Sequence, residues 1–336
     1  AILKNKKINN NLEGIQVSNN YTEKKGRKIT VLGAGNVGAT IAYTLTLQGV
    51  CSDLVLLDIN KPKAEGEAAD IRQGRAFCPS VYVHAGDYAD TKDSDIVVVA
   101  AGIGRKPGQT RIDLANTNIG IIKSIIPMIA EYCPDAVYVI ASNPVDILTY
   151  VINKFGGIPK NRIIGSGTVL DSARLRSLLA DRLDIAADSI HANVFGEHGD
   201  SSFVPWSLTS IAGLTMNEYF SSVGNEITEE ELKQMEADVR GAGARVIAAK
   251  GATFYAIAMS IKRICECVLR DSRTVLTVST MTEGAYGTEN VALSLPYIVG
   301  AKGIISRINV HMTDSETESL INSSKALKNV IDQLGI

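Results

Sequence analysis

The chain from Lys28 to about residue 141 alternates short apolar runs with segments of helical periodicity. The runs are rich in Val, Ile and Leu and show little polar alternation, which is typical of parallel strands covered on both faces. Apolar positions at helical spacing fill the intervals between them. This alternation predicts a doubly wound α/β domain built on a parallel sheet. The predicted strands are 28–33, 53–58, 81–85, 95–101 and 136–141, and the predicted helices are 37–48, 62–74 and 112–131.

The pattern changes after about residue 167, where long amphipathic helices come before a group of strands. This second half predicts an α+β domain that forms a separate layer system and shares a cleft with the first. We therefore expect an N-terminal arm at 1–26, one domain at 27–167 and a second, catalytic domain at 168–336. The arm is either a mobile tail or a segment lying on a neighbouring subunit. The predicted elements of the second half are helices 169–182, 228–249, 251–270 and 314–334 and strands 273–281, 290–299 and 303–311.

The composition is that of an ordinary globular protein, with 45% hydrophobic residues and a net charge of −2. This charge balance gives no footprint for nucleic acid or for an anionic membrane, so we expect neither as a partner. No apolar run is long enough to span a bilayer. The five cysteines include no CxxC pair, which predicts reduced thiols, a cytoplasmic protein and no metal site.

The segment GAGNVG (33–38) follows the first predicted strand, opens a helix and matches the G-x-G-x-x-G fingerprint of a Rossmann dinucleotide site. Gly33 permits the tight turn, Gly35 lets the backbone approach a pyrophosphate, and Gly38 allows close packing of helix on strand. Asp58 ends the second strand, where its carboxylate would bind a ribose hydroxyl and repel a 2′-phosphate. This favours NAD over NADP, the alternative being a glycine turn that happens to precede a strand-end aspartate.

Candidate acid–base chemistry falls on one of four histidines. His198 lies in FGEHGD (195–200) between two glycines and two acids, an accessible position that suits a general acid or base near neutral pH. His84 lies in an apolar strand, which favours a structural role, and His311 has no supporting context.

The segment GSGTVLDSARLR (165–176) adds two charged groups. Thr168 is expected to cap a helix, which would place Asp171 and Arg174 three residues apart on one face. The carboxylate could orient an imidazole, and the guanidinium could bind a substrate carboxylate through two parallel hydrogen bonds. The alternative is an intrahelical ion pair on a solvated face.

From residue 27 onward, nearly the whole chain resembles the lactate/malate dehydrogenase family. The resemblance is carried by these motifs and by three others, SNPVDILTY, GEHGDSSFVPWS and KGATFYAIA. Within the family, the chain looks closest to the lactate enzymes. The resemblance implies reversible NADH-dependent reduction of a small 2-oxo acid to a 2-hydroxy acid in a homotetramer. It assigns proton transfer to His198, support of its imidazolium to Asp171, the substrate carboxylate to Arg174, and carbonyl polarisation to Arg111 on a closing loop. Asn143 and Thr253 would line the pocket. The residues assigned to the cofactor are Gly33, Gly35, Asn36, Val37, Gly38, Asp58, Ala101, Gly102, Asn118 and Ser142.

Two further expectations follow from the resemblance. Arg176 and His191 stand where bacterial lactate enzymes bind fructose 1,6-bisphosphate between subunits, so they predict allosteric activation, or else are only polar interface residues. Arg105 stands six residues before Arg111, where the malate enzymes carry an arginine for the second carboxylate of oxaloacetate. An unpaired guanidinium in a closed pocket disfavours pyruvate. The prediction is a lactate dehydrogenase, with malate or dual activity as the alternative. A non-catalytic NAD-binding protein would be expected to lack the catalytic residues that this chain retains.

Overall fold

The computed structural model describes residues 27–104, 108 and 110–336, so the predicted arm at 1–26 and Arg105 lie outside the described residues. The predicted α/β architecture is confirmed, and every predicted helix and strand is present to within a few residues. No helix in the described ranges combines the length and the apolar character needed to cross a membrane.

The first half forms six parallel strands in the order β6-β5-β4-β1-β2-β3, with helices in the connections. Strands β4 and β5 are buried along their whole length, which explains their lack of polar alternation. The elements are β1 (Lys28–Leu32), α1 (Asn36–Leu47), β2 (Asp53–Leu57), α2 (Lys61–Gln73), β3 (Tyr82–Ala85), β4 (Ile96–Val99), α3 (Arg111–Tyr132), β5 (Val137–Ile140), α4 (Val145–Phe155) and β6 (Ile163–Gly165).

The expected separate layer system of the second half is present only in part, because this half has its own three-stranded sheet and a second hydrophobic cluster but also extends the first sheet. Its long antiparallel strands join the first sheet through β6, because Ser279 pairs with Gly165, and give one sheet in the order β12-β11-β10-β6-β5-β4-β1-β2-β3. Pairing with β10 covers the otherwise open edge of β6. The elements are α5 (Val169–Leu183), β7 (Ile190–His191), β8 (Ser210–Ile211), β9 (Leu214–Thr215), α6 (Met216–Ser222), α7 (Glu229–Lys250), α8 (Tyr255–Leu269), β10 (Thr274–Met281), β11 (Ala292–Gly300), β12 (Gly303–Arg307) and α9 (Asp314–Leu334).

The strand order reverses at β1, which lies between β4 and β2. In open α/β sheets, the crevice outside the carboxyl ends of the strands at such a reversal is the usual ligand position. The segments that leave β1, β4 and β5 at that edge are the glycine turn at 33–38, the loop from residue 100 and the SNP segment at 142–144. The three segments predicted to bind a cofactor therefore meet at one edge of the sheet.

Candidate active site

The glycine turn after β1 has the geometry that its sequence predicts. Gly33 has a φ of +100°, and a Cβ there would lie 2.8 Å from the carbonyl oxygen of Ala100. At Gly38 a Cβ would lie 1.8 Å from the Gly33 oxygen, so only glycine allows α1 to pack this closely. The Cβ position of Gly35 has no heavy atom within 4 Å. This open side, at the N-terminus of α1, is the space that a pyrophosphate needs.

Asp58 follows β2 and lies beside the turn. Its Oδ2 accepts a hydrogen bond from the Ala34 backbone N–H at 2.6 Å, and its Oδ1 accepts one from the Asn60 N–H at 2.8 Å. The carboxylate therefore holds the glycine turn as well as standing where a ribose would bind. Since each carboxylate oxygen has two acceptor sites, these bonds leave capacity for a ribose hydroxyl.

Two of the predicted cofactor residues use their side chains inside the protein. Asn118, which is buried, donates from its amide to the carbonyl oxygens of Asn143 at 2.7 Å and Ile103 at 3.2 Å, and accepts from the Ile103 N–H at 2.9 Å. Ser142 donates to the Ala101 carbonyl at 2.7 Å. These bonds tie the loop after β4 to the segment after β5, so both side chains fix the relative positions of these two segments.

The predicted acid–base residues form one connected group. His198 Nδ1 lies 2.5 Å from Asp171 Oδ2, and the Arg174 guanidinium donates to Asp171 Oδ1 at 2.8 Å. The Asp171 side chain is 7% exposed and that of His198 is 25% exposed. The pair of Asp171 and Arg174 is therefore not on a solvated face. The helix brings a buried carboxylate between a histidine and an arginine.

The electrostatics of this group follow from burial and opposite charge. Burial lowers the pKa of His198, but attraction and a hydrogen bond from Asp171, with a further attraction from Asp146, outweigh it, so the net pKa is raised. Burial raises the pKa of Asp171, while His198 and Arg174 stabilise its charged form more strongly and leave the net pKa lowered. The pair therefore stabilises an imidazolium beside a carboxylate relative to the two neutral groups.

The turn that carries His198 is held by side chains that the sequence analysis missed. Gly196 has a φ of +90°, and a Cβ there would lie 2.7 Å from Ser323 Oγ. The Glu197 N–H donates to that same oxygen at 2.8 Å, and the His198 N–H donates to Asp146 Oδ2 at 2.7 Å. Helices α9 and α4 thus fix the backbone of the turn. The only sequence signal for Asp146 and Ser323 was that each is a polar residue among apolar positions of its helix.

Thr168 occupies the N-cap position of α5 as expected, but its side chain makes no capping hydrogen bond. It is the residue before the helix, but its buried hydroxyl donates to the Val194 carbonyl rather than accepting from the first amides of α5. Another missed residue is Gly243 of α7, whose Cβ position lies 3.6 Å from an Arg174 guanidinium nitrogen. At this distance a Cβ would be in ordinary van der Waals contact, so α7 packs closely against the guanidinium.

Arg111 begins α3 beside the cleft, directly after the N-cap Thr110. Its guanidinium forms an ion pair with Asp200 at 2.6 Å, in which the two side chains are 69% and 75% exposed. A hydrogen bond and charge attraction from Asp200 raise the pKa of Arg111. The structure thus brings Arg111 to the turn of His198, although its charge is paired at the surface.

The remaining predicted residues are placed as follows. Asn143 is exposed and precedes Pro144 through a cis peptide bond, and Thr253 is half-buried between α7 and α8. Arg176, on α5, donates to the Ser172 carbonyl at 3.2 Å, and His191 is exposed in β7. No hydrogen bond joins Arg176 to His191 among the residues that the structure describes.

Comparison with known proteins places both halves of the chain in one family. Residues 27–165 match the NAD-binding domain of lactate/malate dehydrogenases, and residues 168–335 match the α/β C-terminal domain of the same enzymes. These matches confirm the predicted Rossmann domain and NAD as its cofactor.

Individual relatives are similar to this chain over most of their own length. The L-lactate dehydrogenase of Clostridium perfringens is 47% identical over 305 residues, which are 91% of this chain and 96% of the relative. The L-lactate dehydrogenase of Thermoanaerobacterium saccharolyticum is 46% identical over 92% of this chain and 99% of its own. The solved structure of the minor L-lactate dehydrogenase of Enterococcus mundtii superposes with a TM-score of 0.88 at 39% identity, covering 91% of this chain and 98% of that chain.

Proposed function

The chain belongs to the lactate/malate dehydrogenase family, and we propose that it is an L-lactate dehydrogenase that reduces pyruvate reversibly to L-lactate with NADH. The bond of 2.5 Å between His198 and Asp171 is the observation that carries the chemistry. The choice of substrate is supported by relatives at 45–47% identity that are named L-lactate dehydrogenase. The proposal divides the chain into an arm (1–26), an NAD-binding domain (27–167) and a catalytic domain (168–336).

The residues at the carboxyl edge of the sheet fit the proposed cofactor. The open side of Gly35 would hold the pyrophosphate against the N-terminus of α1, and Asp58 would bind the adenosine ribose. Backbone groups of Ala101 and Gly102 are proposed to line the same crevice. When bound, NADH supplies the hydride that adds to the carbonyl carbon of the substrate.

His198 is proposed to supply the proton. Its Nδ1 faces Asp171, so Nε2 is the nitrogen that would donate to the developing alkoxide and take the proton back when lactate is oxidised. Because the pKa of His198 is raised, the imidazolium needed for reduction persists to a higher pH than in a free imidazole. Asp171 keeps one ring nitrogen in a fixed bond and so orients the other.

Two arginines are proposed to bind the polar groups of the substrate. Arg174 would hold the substrate carboxylate through two parallel hydrogen bonds while its other contact fixes it to Asp171. Arg111 would leave Asp200 and polarise the substrate carbonyl, a movement that costs little because exposed ion pairs contribute about 0–1 kcal/mol. Asn143 and Thr253 are proposed to complete the pocket wall.

The substrate is tested by comparing two acids. We expect kcat/KM for pyruvate to exceed that for oxaloacetate by about tenfold or more in the wild type. The Arg105→Gln variant should widen this ratio, because the only proposed partner for a second carboxylate is lost. Steady-state NADH oxidation measures both, with Lys106→Gln as the control for a nearby loss of positive charge.

The malate alternative rests on Arg105, which lies outside the described residues. It would replace the lactate proposal if the wild type preferred oxaloacetate and if Arg105→Gln, but not Lys106→Gln, reversed that preference.

Assembly and regulation form a further part of the proposal. We propose a homotetramer, supported by apolar side chains that remain exposed on α7 and α8, namely Val246, Ile247, Tyr255 and Met259. In this tetramer, Arg176 and His191 of two subunits would bind fructose 1,6-bisphosphate.

The surroundings of Arg176 suit an anion. Burial and the nearby Arg263 lower the pKa of Arg176, which supports a site that is poor in negative charge. A cytoplasmic location is supported by five free cysteines.

Fructose 1,6-bisphosphate is expected to lower the pyruvate concentration at half-maximal rate by about tenfold, as a typical coupling between sites would. The Arg176→Gln variant should lose this response, while Arg240→Gln on α7, whose guanidinium binds Glu236, keeps it. Rate measurements with and without the bisphosphate decide the point. If the bisphosphate left the pyruvate concentration at half-maximal rate unchanged in the wild type, Arg176 and His191 would be only polar interface residues.

A further inference from the structure

Asp146 is a buried acid without a role in the mechanism above. It lies in the first turn of α4, and the residue is 2% exposed. Its Oδ2 accepts the backbone N–H of His198 at 2.7 Å, across 52 positions of sequence. Its Oδ1 is shielded from solvent and makes no hydrogen bond of normal geometry within the described part of the chain, although the Ser279 hydroxyl is near enough to stabilise the carboxylate charge. Burying a carboxylate charge costs free energy of folding unless the charge is paired or hydrogen-bonded.

His198 is therefore bound to carboxylates at two different points. The ring is held through Nδ1 by Asp171 of α5, and the backbone is held through its N–H by Asp146 of α4. The preceding amide, that of Glu197, is bound by the neutral hydroxyl of Ser323. Two anchors thus act on adjacent amides of one turn, and only the one at His198 carries charge.

We propose that Asp146 is a positioning residue for His198, holding its backbone in the turn and placing a second negative charge beside its imidazolium. The inference rests on the proposed function, since it assumes that His198 transfers the proton. It assigns Asp146 no contact with the substrate.

The charged groups around Asp146 support this arrangement. In the turn, His198 attracts the Asp146 carboxylate and Glu197 repels it. Ser279 of β10 supplies a hydroxyl to the same carboxylate. The imidazole of His198 is also attracted by Asp171 and repelled by Arg174, both of α5. Burial raises the pKa of Asp146 to about 7, against the opposing effects of Ser279 and His198. The negative charge is therefore held above about pH 7 and is lost as the pH falls below it. In that upper range it helps to keep His198 protonated.

The test is the titration of His198 itself. In protein labelled with ¹³C at the histidine Cε1, NMR follows the four histidines of the chain, and the His198 signal is identified by its loss in His198→Asn. The Asp146→Asn variant keeps an oxygen for the His198 N–H but removes the charge. We expect it to lower the pKa of His198 by about one pH unit, as loss of a nearby opposite charge does. The alkaline limb of kcat/KM for pyruvate should move down with it.

Two further variants make the result decisive. Ser323→Ala removes the neighbouring anchor without changing charge and should leave the His198 titration at its wild-type position. Asp146→Ser is also neutral and smaller, so a folding defect in one Asp146 variant leaves the other to be measured. A wild-type His198 titration in the folded neutral variants, or an equal shift in Ser323→Ala, would overturn the proposal. The NMR reading needs no substrate, so it stands apart from a failure to reduce pyruvate, which would overturn the proposed function instead.

Discussion

Replacing His198 by asparagine is expected to lower kcat for pyruvate reduction by about 10³-fold, the typical contribution of a positioned general acid. Asparagine cannot donate a proton to the developing alkoxide, and Asp171 loses the imidazolium that it holds at 2.5 Å. The affinity for NADH should remain within about twofold, because the glycine turn and Asp58 lie on other elements. Single-turnover absorbance and NADH fluorescence titration measure the two quantities separately.

His311→Asn is the matched control, since His311 is an exposed residue that lies outside the group formed by His198, Asp171 and Arg174. It should retain wild-type kcat. If His198→Asn kept more than about a tenth of the wild-type kcat, proton transfer would have to come from another group, and the assignment of His198 would be wrong.

Replacing Arg174 by lysine is expected to raise KM for pyruvate by about 30- to 100-fold. Lysine keeps the positive charge but cannot make two parallel hydrogen bonds, and each hydrogen bond to a charged group is worth about 1.5–3 kcal/mol. It also loses the planar contact with Asp171 at 2.8 Å that directs the guanidinium. Steady-state kinetics at saturating NADH give KM and kcat, and kcat should fall less than kcat/KM.

Arg182→Lys provides the comparison on the same helix, because Arg182 binds Glu231 at the far end of α5. It should leave KM for pyruvate unchanged. A KM for Arg174→Lys within about threefold of wild type would mean that Arg174 serves Asp171 alone and that another cation binds the carboxylate.

Local sequence was sufficient for the parts of the site whose residues lie close together in the chain. The spacing of GAGNVG predicted the tight turn, the open position and the close packing, and the structure shows all three at Gly33, Gly35 and Gly38. The three-residue spacing of Asp171 and Arg174 likewise predicted that they share one helical face, where the structure joins them by a hydrogen bond. Helical and turn geometry fix such neighbours whatever the rest of the fold does.

Helix α4 shows why part of the fold was missed. Every residue from Val145 to Ile152 is buried, including the polar Asp146 and Thr149, so the polar positions of this segment do not mark a solvent-exposed helical face. Strand β6 is only three residues long. Without these two elements, neither Asp146 nor the join between the two halves could be placed.

The sequence by itself determined the α/β architecture, the glycine turn of the NAD-binding domain and the residues proposed for proton transfer, because turns, helical faces and strand composition depend on nearby residues. The tertiary structure alone decided that β10 continues the first sheet, that Asp146 and Ser323 hold the turn of His198, and that Arg111 pairs with Asp200. These contacts join residues 52 to 126 positions apart in the chain. Such partners are chosen by how elements pack, and no spacing along the chain encodes that choice.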